Sequence, residues 1–366
     1  MDKLDQFKGC LLGGAAGDAL GYSVEFMSAD RIEKRYGPGG ITDYALHNGI
    51  ALFSDDTQMT LFTANGLLLA AAENEAAPDF GKYFARCYQD WLLTQIGDFG
   101  KPRPDCRCWL NNLPQLYSPR APGNTCITAA MNGAWGTPEN PINNSCGCGG
   151  VMRVAPIALY LAGRGDMPAQ QADRAGALAA AATHGHPLGY ISAAALVHII
   201  YLLIENPDMT IRAAVEDAVA AMELQYAGEP ELPGQIKLLH QAMELADSDI
   251  PDMVAIHRLG GGWTGHDALA IAVYCVLKYP EDFDAAMIAS VNHNGDSDST
   301  GAIAGNILGA KLGLTGIPQK YQEGLEMKEL LLEVAEDLYR ACREPMEDLS
   351  ADPVWAAKYI HGTYAP

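Results

Sequence analysis

The chain has 366 residues, 49% of them apolar and 19% charged, with a formal charge of −21 at neutral pH. That apolar content can bury a large core, and no linker divides the chain, so one domain over residues 1–366 is expected. The charge excludes a protein that tracks a phosphate backbone by bulk attraction, since such affinity comes from clustered Lys and Arg.

The first residues, Met1 to Gln6, lack the basic end and apolar run of a signal peptide. No apolar stretch reaches the ~18 residues of a membrane span. The longest, Ile191 to Ile204, is interrupted by Ser192, His198 and Tyr201. Nine scattered cysteines without a C-x-x-C pair suit a reducing compartment, so a cytoplasmic protein is expected. The C-x-C pairs Cys106/Cys108 and Cys146/Cys148 do not have the spacing of a common structural zinc site.

In chain order, apolar periodicity predicts helices over Phe7 to Leu20, Leu61 to Ala72 and Phe80 to Leu93. Gly97 to Pro122 is a loop rich in Pro, Arg and Cys. It runs into Gly123-Asn124-Thr125, where Asn124 or Thr125 can cap the next helix. A second loop, Asn143 to Gly150, is rich in glycine and leads into Val151-Met152-Arg153. A glycine-rich loop that opens a helix presents N–H groups to an anion, although this one matches no known phosphate motif. Further helices are expected over Ala169 to Thr183, Leu188 to Ile204, Ile211 to Tyr226, Gln235 to Ala246, His266 to Lys278, Phe283 to Val291, Gly301 to Leu312 and Glu323 to Cys342. The tail from Pro345 to Pro366, with Trp355, Tyr359 and Tyr364, should wrap the surface. No convincing strand appears, so the fold class is all-α, a compact multi-helix bundle around one core.

The first helix carries Gly13, Gly17 and Gly21, and the Gly301 helix carries Gly305, Gly309 and Gly313 as well. Glycines four apart share one helix face, and each costs up to ~1 kcal/mol of propensity, which calls for close backbone approach. Both helices should therefore pack tightly against neighbours, one another included, and hold adjoining segments rigidly.

Two such segments are Ser54-Asp55-Asp56-Thr57 and Asp296-Ser297-Asp298-Ser299. Ser or Asp at a helix start satisfies free N–H groups and complements the dipole, and either motif alone is most simply a cap. Brought together, they place four carboxylates in one cleft, which is costly without a cation. An all-oxygen donor set favours Mg²⁺ or Mn²⁺. Asp296 to Gly301 also imitates the start of a calcium loop, but its twelfth position is Ile307 and cannot ligate.

With Gly17-Asp18-Ala19-Leu20-Gly21 and Glu25, Gly147 to Arg153, Thr183-His184 and Gly295 to Gly301 added in this order, the chain resembles the ADP-ribosylglycohydrolase family. The motif-bearing core is about residues 7–313, followed by a C-terminal helix and tail over 314–366. The resemblance implies a binuclear Mg²⁺ or Mn²⁺ hydrolase that removes ADP-ribose from a modified protein or small conjugate. Ser54, Asp55, Asp56 and Asp298 would hold one ion, and Asp296, Asp298 and Ser299 the other. Many members have Thr where this chain has Ser54 and Ser299. Glu25 would sit over the ribose for acid/base or gating work, with Asp55 and Asp298 also in the catalytic set. Gly147, Gly149, Gly150, Met152 and Arg153 would line the diphosphate and ribose, with His184 on the diphosphate or distal ribose, and Asp18 would support the site. Some relatives stack an aromatic residue on adenine where this chain has Cys146. A binuclear phosphoesterase and a non-catalytic ADP-ribose binder are the alternatives, and no feature demands an oligomer, so a monomer is expected.

Overall fold

A computed structural model describes residues 2–74, 78–101 and 105–365. Residues 102–104 of the Gly97 to Pro122 loop, Met1 of the leader reading and Pro366 of the tail lie outside the described residues. The helices are α1 Lys3–Tyr22, α2 Ala29–Tyr36, α3 Asp55–Ala72, α4 Phe80–Ile96, α5 Asn124–Met131, α6 Ala155–Arg164, α7 Ala169–Ala181, α8 Pro187–Glu205 and α9 Ile211–Gln225. They continue with α10 Leu232–Ala246, α11 Asp252–Leu259, α12 Gly265–Lys278, α13 Phe283–Val291, α14 Ser297–Leu312, α15 Gln319–Gln322, α16 Lys328–Arg343, α17 Met346–Ala351 and α18 Pro353–Trp355. Among the described residues there is no strand. Only isolated bridges join His47 to Ile50, Ala51 to Leu325 and Gly147 to Thr264.

Several helices start where a side chain caps them. Asp2, Ser54, Asp79, Thr210, Asp282 and Asp296 each accept a hydrogen bond from a first-turn N–H. The centre of the molecule is α1 against α14. A Cβ on Gly17 would stand 2.0 Å from Gly301 O, one on Gly305 2.0 Å from Gly13 O, and one on Gly309 2.1 Å from Gly9 O. The pairing runs in opposite directions along the chain, so the helices are antiparallel and touch backbone to backbone. Asn306 Nδ2 also donates to Cys10 O at 2.8 Å. The glycine spacing is thus explained by these two helices meeting each other. The C-terminal end of α1 consequently lies beside the start of α14.

Two sequence expectations change. The helix expected from Glu323 begins only at Lys328, because Gly324 and Met327 have positive φ and Ala51 pairs with Gly324 and Glu326 through its N–H and C=O. Arg120 holds Glu326 there through two hydrogen bonds of 3.0 Å. Helix α8 extends N-terminally to Pro187 and is long and apolar enough to cross a membrane. In this fold 83% of its apolar window is buried, as suits the core helix of a packed bundle.

Gly17→Ala has no flexible atom to displace and should lower stability by about 3 kcal/mol or more. Gly234→Ala, in α10 with open space at its Cβ, should gain about 0.4–1 kcal/mol. Chemical denaturation of the pair checks both. On α8, buried His198 lies between Asp173 (Nδ1 to Oδ2, 2.9 Å) and Asp217 (Nε2 to Oδ1, 2.9 Å). Burial opposes its charge, but the two carboxylates outweigh it and raise its pKa above 6.5. A raised folded-state pKa means stability that is whole below the unfolded value and lost as pH rises through the folded one. The melting temperature should therefore fall as pH climbs above 6.5, and His198→Gln should flatten that fall.

Candidate active site

Asp18 of α1, fully buried, fixes the start of α3. Its Oδ1 accepts from Ser54 N (2.8 Å), and its Oδ2 accepts from Thr57 N (3.0 Å) and Thr57 Oγ1 (2.5 Å). Burial pushes its pKa up to about 6 against the pull of those hydrogen bonds. At the start of α14, Ser299 N donates to Asp296 Oδ1 (3.3 Å) and Asp298 Oδ1 (2.9 Å). Asp296 N is tied to Gly261 O at 2.9 Å. Ser299 Oγ then donates to Asp56 Oδ2 at 2.8 Å, so the two acidic motifs are in direct contact.

They open on a cavity of about 380 Å³. Of the residues expected from sequence, Glu25, Asp55, Asp56, Gly147, Gly149, Met152, His184, Asp296, Asp298 and Ser299 line it. Ser54, Gly150 and Arg153 do not line it. Ser54 Oγ accepts from Asp56 N as the cap of α3, and Gly150 lies against Ala180 and His184. Cys146 is not among the lining residues either.

The lining contains five carboxylates, none more than 7% exposed, and no Lys or Arg. Burial first, and mutual repulsion second, raise Asp56 and Asp298 well above the usual carboxylate range. Burial, Asp18 and Asp296 do the same for Asp55. Glu25 is pushed up to about 9 by burial and by Asp296 and Asp55. Oxygens of Glu25, Asp296 and Asp298 lie within 4.8 Å of one another, and Glu25 Oε2 is buried with no partner among the described residues. This donor set fits a hard divalent cation, which would remove the repulsion. One soft atom intrudes, because the Cys148 thiol donates to Asp296 Oδ2 at 2.8 Å.

Arg153 acts from behind the wall. It is fully buried over the Tyr88 ring, with Nη2 donating to Ala179 O (2.8 Å) and Thr183 Oγ1 (2.6 Å). Thr183 Oγ1 lies 2.7 Å from His184 Nδ1 and 3.4 Å from Ala180 O. The hydroxyl accepts from Arg153 and so links it to His184 Nδ1; when it donates there, the ring proton is on Nε2, the nitrogen beside Gly147 and Gly149. Burial and the Arg153 charge hold the imidazole neutral, at about 3. In the glycine loop, Cys148 N, Val151 N and Met152 N already donate inside the protein, so a donor role falls to Gly149.

The sequence reading missed Phe26 and Trp263, which also line the cavity. Phe26 follows Glu25 directly. Trp263 ends the run Gly260-Gly261-Gly262, the one local signal that could have marked it.

Residues 1–348 match the family model described as ADP-ribosylglycohydrolase. The chain is 25% identical to ADP-ribosylhydrolase ARH3 of Mus musculus over 93% of each chain. It is 28% identical to ADP-ribosyl-[dinitrogen reductase] glycohydrolase of Rhodospirillum rubrum, over 88% of this chain and 91% of that one. A solved structure titled "ADP-ribosylglycohydrolase-related protein complex" superposes with a TM-score of 0.61 at 21% identity, covering 93% of this chain and 99% of that one, and shares its fold. The chain belongs to the ADP-ribosylglycohydrolase family.

Proposed function

We propose that this chain hydrolyses the glycosidic bond between ADP-ribose and an acceptor, a protein side chain or a small conjugate, and releases free ADP-ribose. The observation that carries the reading is the meeting of Asp55-Asp56, Asp296-Asp298 and Glu25 in one buried cavity. The activities named in the two curated relatives support it.

Asp55, Asp56, Asp296, Asp298 and Ser299 would hold two Mg²⁺ or Mn²⁺ ions, with Ser54 behind them. Those ions would supply positive charge that balances the carboxylates and orients sugar hydroxyls. Cleavage at an anomeric carbon builds positive charge on the sugar and leaves the departing atom in need of a proton. Glu25 Oε2 is buried without a hydrogen-bond partner among the described residues, and Glu25 is placed to hold or deliver a proton at the departing atom. His184 Nε2–H and Gly149 N–H are the donors for the diphosphate, neutral groups that bind an anion without cancelling the field of the acids.

Asp298→Ala should abolish Mn²⁺ binding by calorimetry. It should also lower turnover by more than the 10- to 100-fold typical of a supporting residue. Glu25→Gln should keep the metal and lower turnover by about 10²–10⁴-fold. Mass spectrometry of the products decides the bond: free ADP-ribose supports the reading, and AMP with ribose phosphate would replace it by attack on the diphosphate. Thr183→Val breaks the link from Arg153 to His184. It should weaken ADP-ribose binding several-fold and shift the His184 ring-nitrogen NMR signals towards mixed tautomers.

A further inference from the structure

The four backbone N–H groups that open α3 all find acceptors inside the protein. Ser54 N and Thr57 N donate to Asp18, Asp56 N donates to Ser54 Oγ, and Asp55 N donates to Arg120 O at 3.1 Å. The Asp55 carboxylate meets the same loop a second time, since Gly123 N donates to its Oδ2 at 3.3 Å. Residues 120–123 therefore hold Asp55 at its backbone and at its side chain, and Ala121, Pro122 and Gly123 themselves line the acidic cavity.

That loop does not keep its shape unaided. Ala121 has a φ of 55°, a conformation its methyl group disfavours, and the following Pro122 restricts it further. The Arg120 side chain supplies the constraint. Its Nε donates to Ser118 Oγ (2.9 Å) and its Nη1 to Phe53 O (3.1 Å), while Nη1 and Nη2 form a two-pronged pair with Glu326 at 3.0 Å each. The two side chains are only 12% and 11% exposed, so the pair is shielded from water and its geometry is fixed. Glu326 is anchored in turn, since its N donates to Ala51 O (2.9 Å) and Ala51 N donates to Gly324 O (2.7 Å). The guanidinium thus ties residues 51–54, 118–123 and 324–327 into one clamp beside Asp55, and neither Arg120 nor Glu326 lines the cavity.

We propose that Arg120 is a positioning residue for the cation site: it sets the Asp55 carboxylate from outside the cavity, and Glu326 sets Arg120. The inference rests on the cation-binding part of the proposed reading and not on which bond is cleaved. A hard divalent ion demands oxygens in a fixed arrangement, so a carboxylate free to turn about its side-chain bonds binds it less well than one held in place. The planar fork of Arg120 reaches a carboxylate, a carbonyl and a hydroxyl at once, which a lysine ammonium cannot reproduce. Its charge is answered by Glu326, and Asp55 is left for the cation.

The test uses the full chain and compares wild type with Arg120→Gln, Arg120→Lys, Glu326→Gln and, outside the clamp, His198→Gln. Mn²⁺ affinity is measured by calorimetry, the surroundings of the bound ion by its paramagnetic resonance line shape, and folding by melting temperature. Arg120→Gln should weaken Mn²⁺ binding about 10- to 100-fold, the cost of removing an outer partner of a metal ligand. Arg120→Lys should recover only part of that loss. Glu326→Gln should weaken binding several-fold, because Arg120 keeps Phe53 O and Ser118 Oγ, and its line shape should change in the same sense as that of Arg120→Gln. His198→Gln should bind Mn²⁺ as wild type does. Unchanged affinity in both Arg120→Gln and Glu326→Gln, or an equal loss in His198→Gln, overturns the proposal. If Arg120→Gln does not fold, Glu326→Gln decides it alone. A wild type that binds no Mn²⁺ removes the cation reading and this inference with it. Affinity that follows the clamp in a protein releasing no ADP-ribose supports the inference and removes the glycohydrolase reading.

Discussion

The contact between α1 and α14 is the constraint on which the rest of this molecule depends. Gly9, Gly13 and Gly17 lie on Gly309, Gly305 and Gly301 with no room for one methyl group between the backbones. At that separation Cα–H groups reach carbonyl oxygens, and dispersion acts over the whole length of both helices. Each glycine weakens its own helix by ~1 kcal/mol, so isolated versions of these segments would be poor helices. They are stable because each supplies the surface the other needs. The antiparallel arrangement brings Asp18 and Glu25, near the end of α1, to Asp296 and Asp298 at the start of α14. Asp18 then fixes the first turn of α3 by accepting three hydrogen bonds. One helix pair thus sets the position of both acidic motifs.

Capping and an acidic cluster fit for a cation, alternatives when read from sequence, are combined here. Ser54 and Asp296 are helix caps, each accepting from a first-turn N–H. The neighbouring Asp55, Asp56 and Asp298 face the cavity from the first turns of α3 and α14. Two helix N-termini therefore converge on the same acids, and their dipoles offset part of the repulsion. The offset is partial, since Asp55, Asp56 and Asp298 still hold their protons well above the ordinary range. The fold brings together more negative charge than its own dipoles balance, and the remainder is what a bound cation would balance.

What could be read in the sequence was whatever depends on residue type and short spacing. Glycines four apart and acids at helix starts keep their meaning wherever the helix ends up. The start of α16 was misread because Glu323 to Glu326 has helical composition, while its pairing with Ala51 and Arg120 comes from distant chain. Phe26 and Trp263 were missed for a related reason. A lone aromatic gives no period, and the pair exists only because the turn after α1 and the glycine run before Trp263 are both held against the second acidic motif. Arg153 shows a third case. Its motif marks it as part of the site, but sequence cannot tell a residue that faces the cavity from one that lies behind its wall.

That position has an electrostatic consequence. Arg153 has no carboxylate among its hydrogen-bond acceptors: Nη2 donates to Ala179 O and the Thr183 hydroxyl, and Nη1 to the sulfurs of Met59 and Cys126. A guanidinium in the cavity would pair with an acid and compete with a cation for it. Placed behind Thr183, it instead contacts His184 through a neutral hydroxyl, and burial first and the Arg153 charge second keep that imidazole uncharged. The cavity can thus present neutral donors on the His184 side and acidic, cation-holding groups on the Glu25 side. An anionic diphosphate and a positively charged sugar carbon make opposite demands on a site of 380 Å³, and keeping the Arg153 guanidinium behind the wall lets the two ends meet them separately.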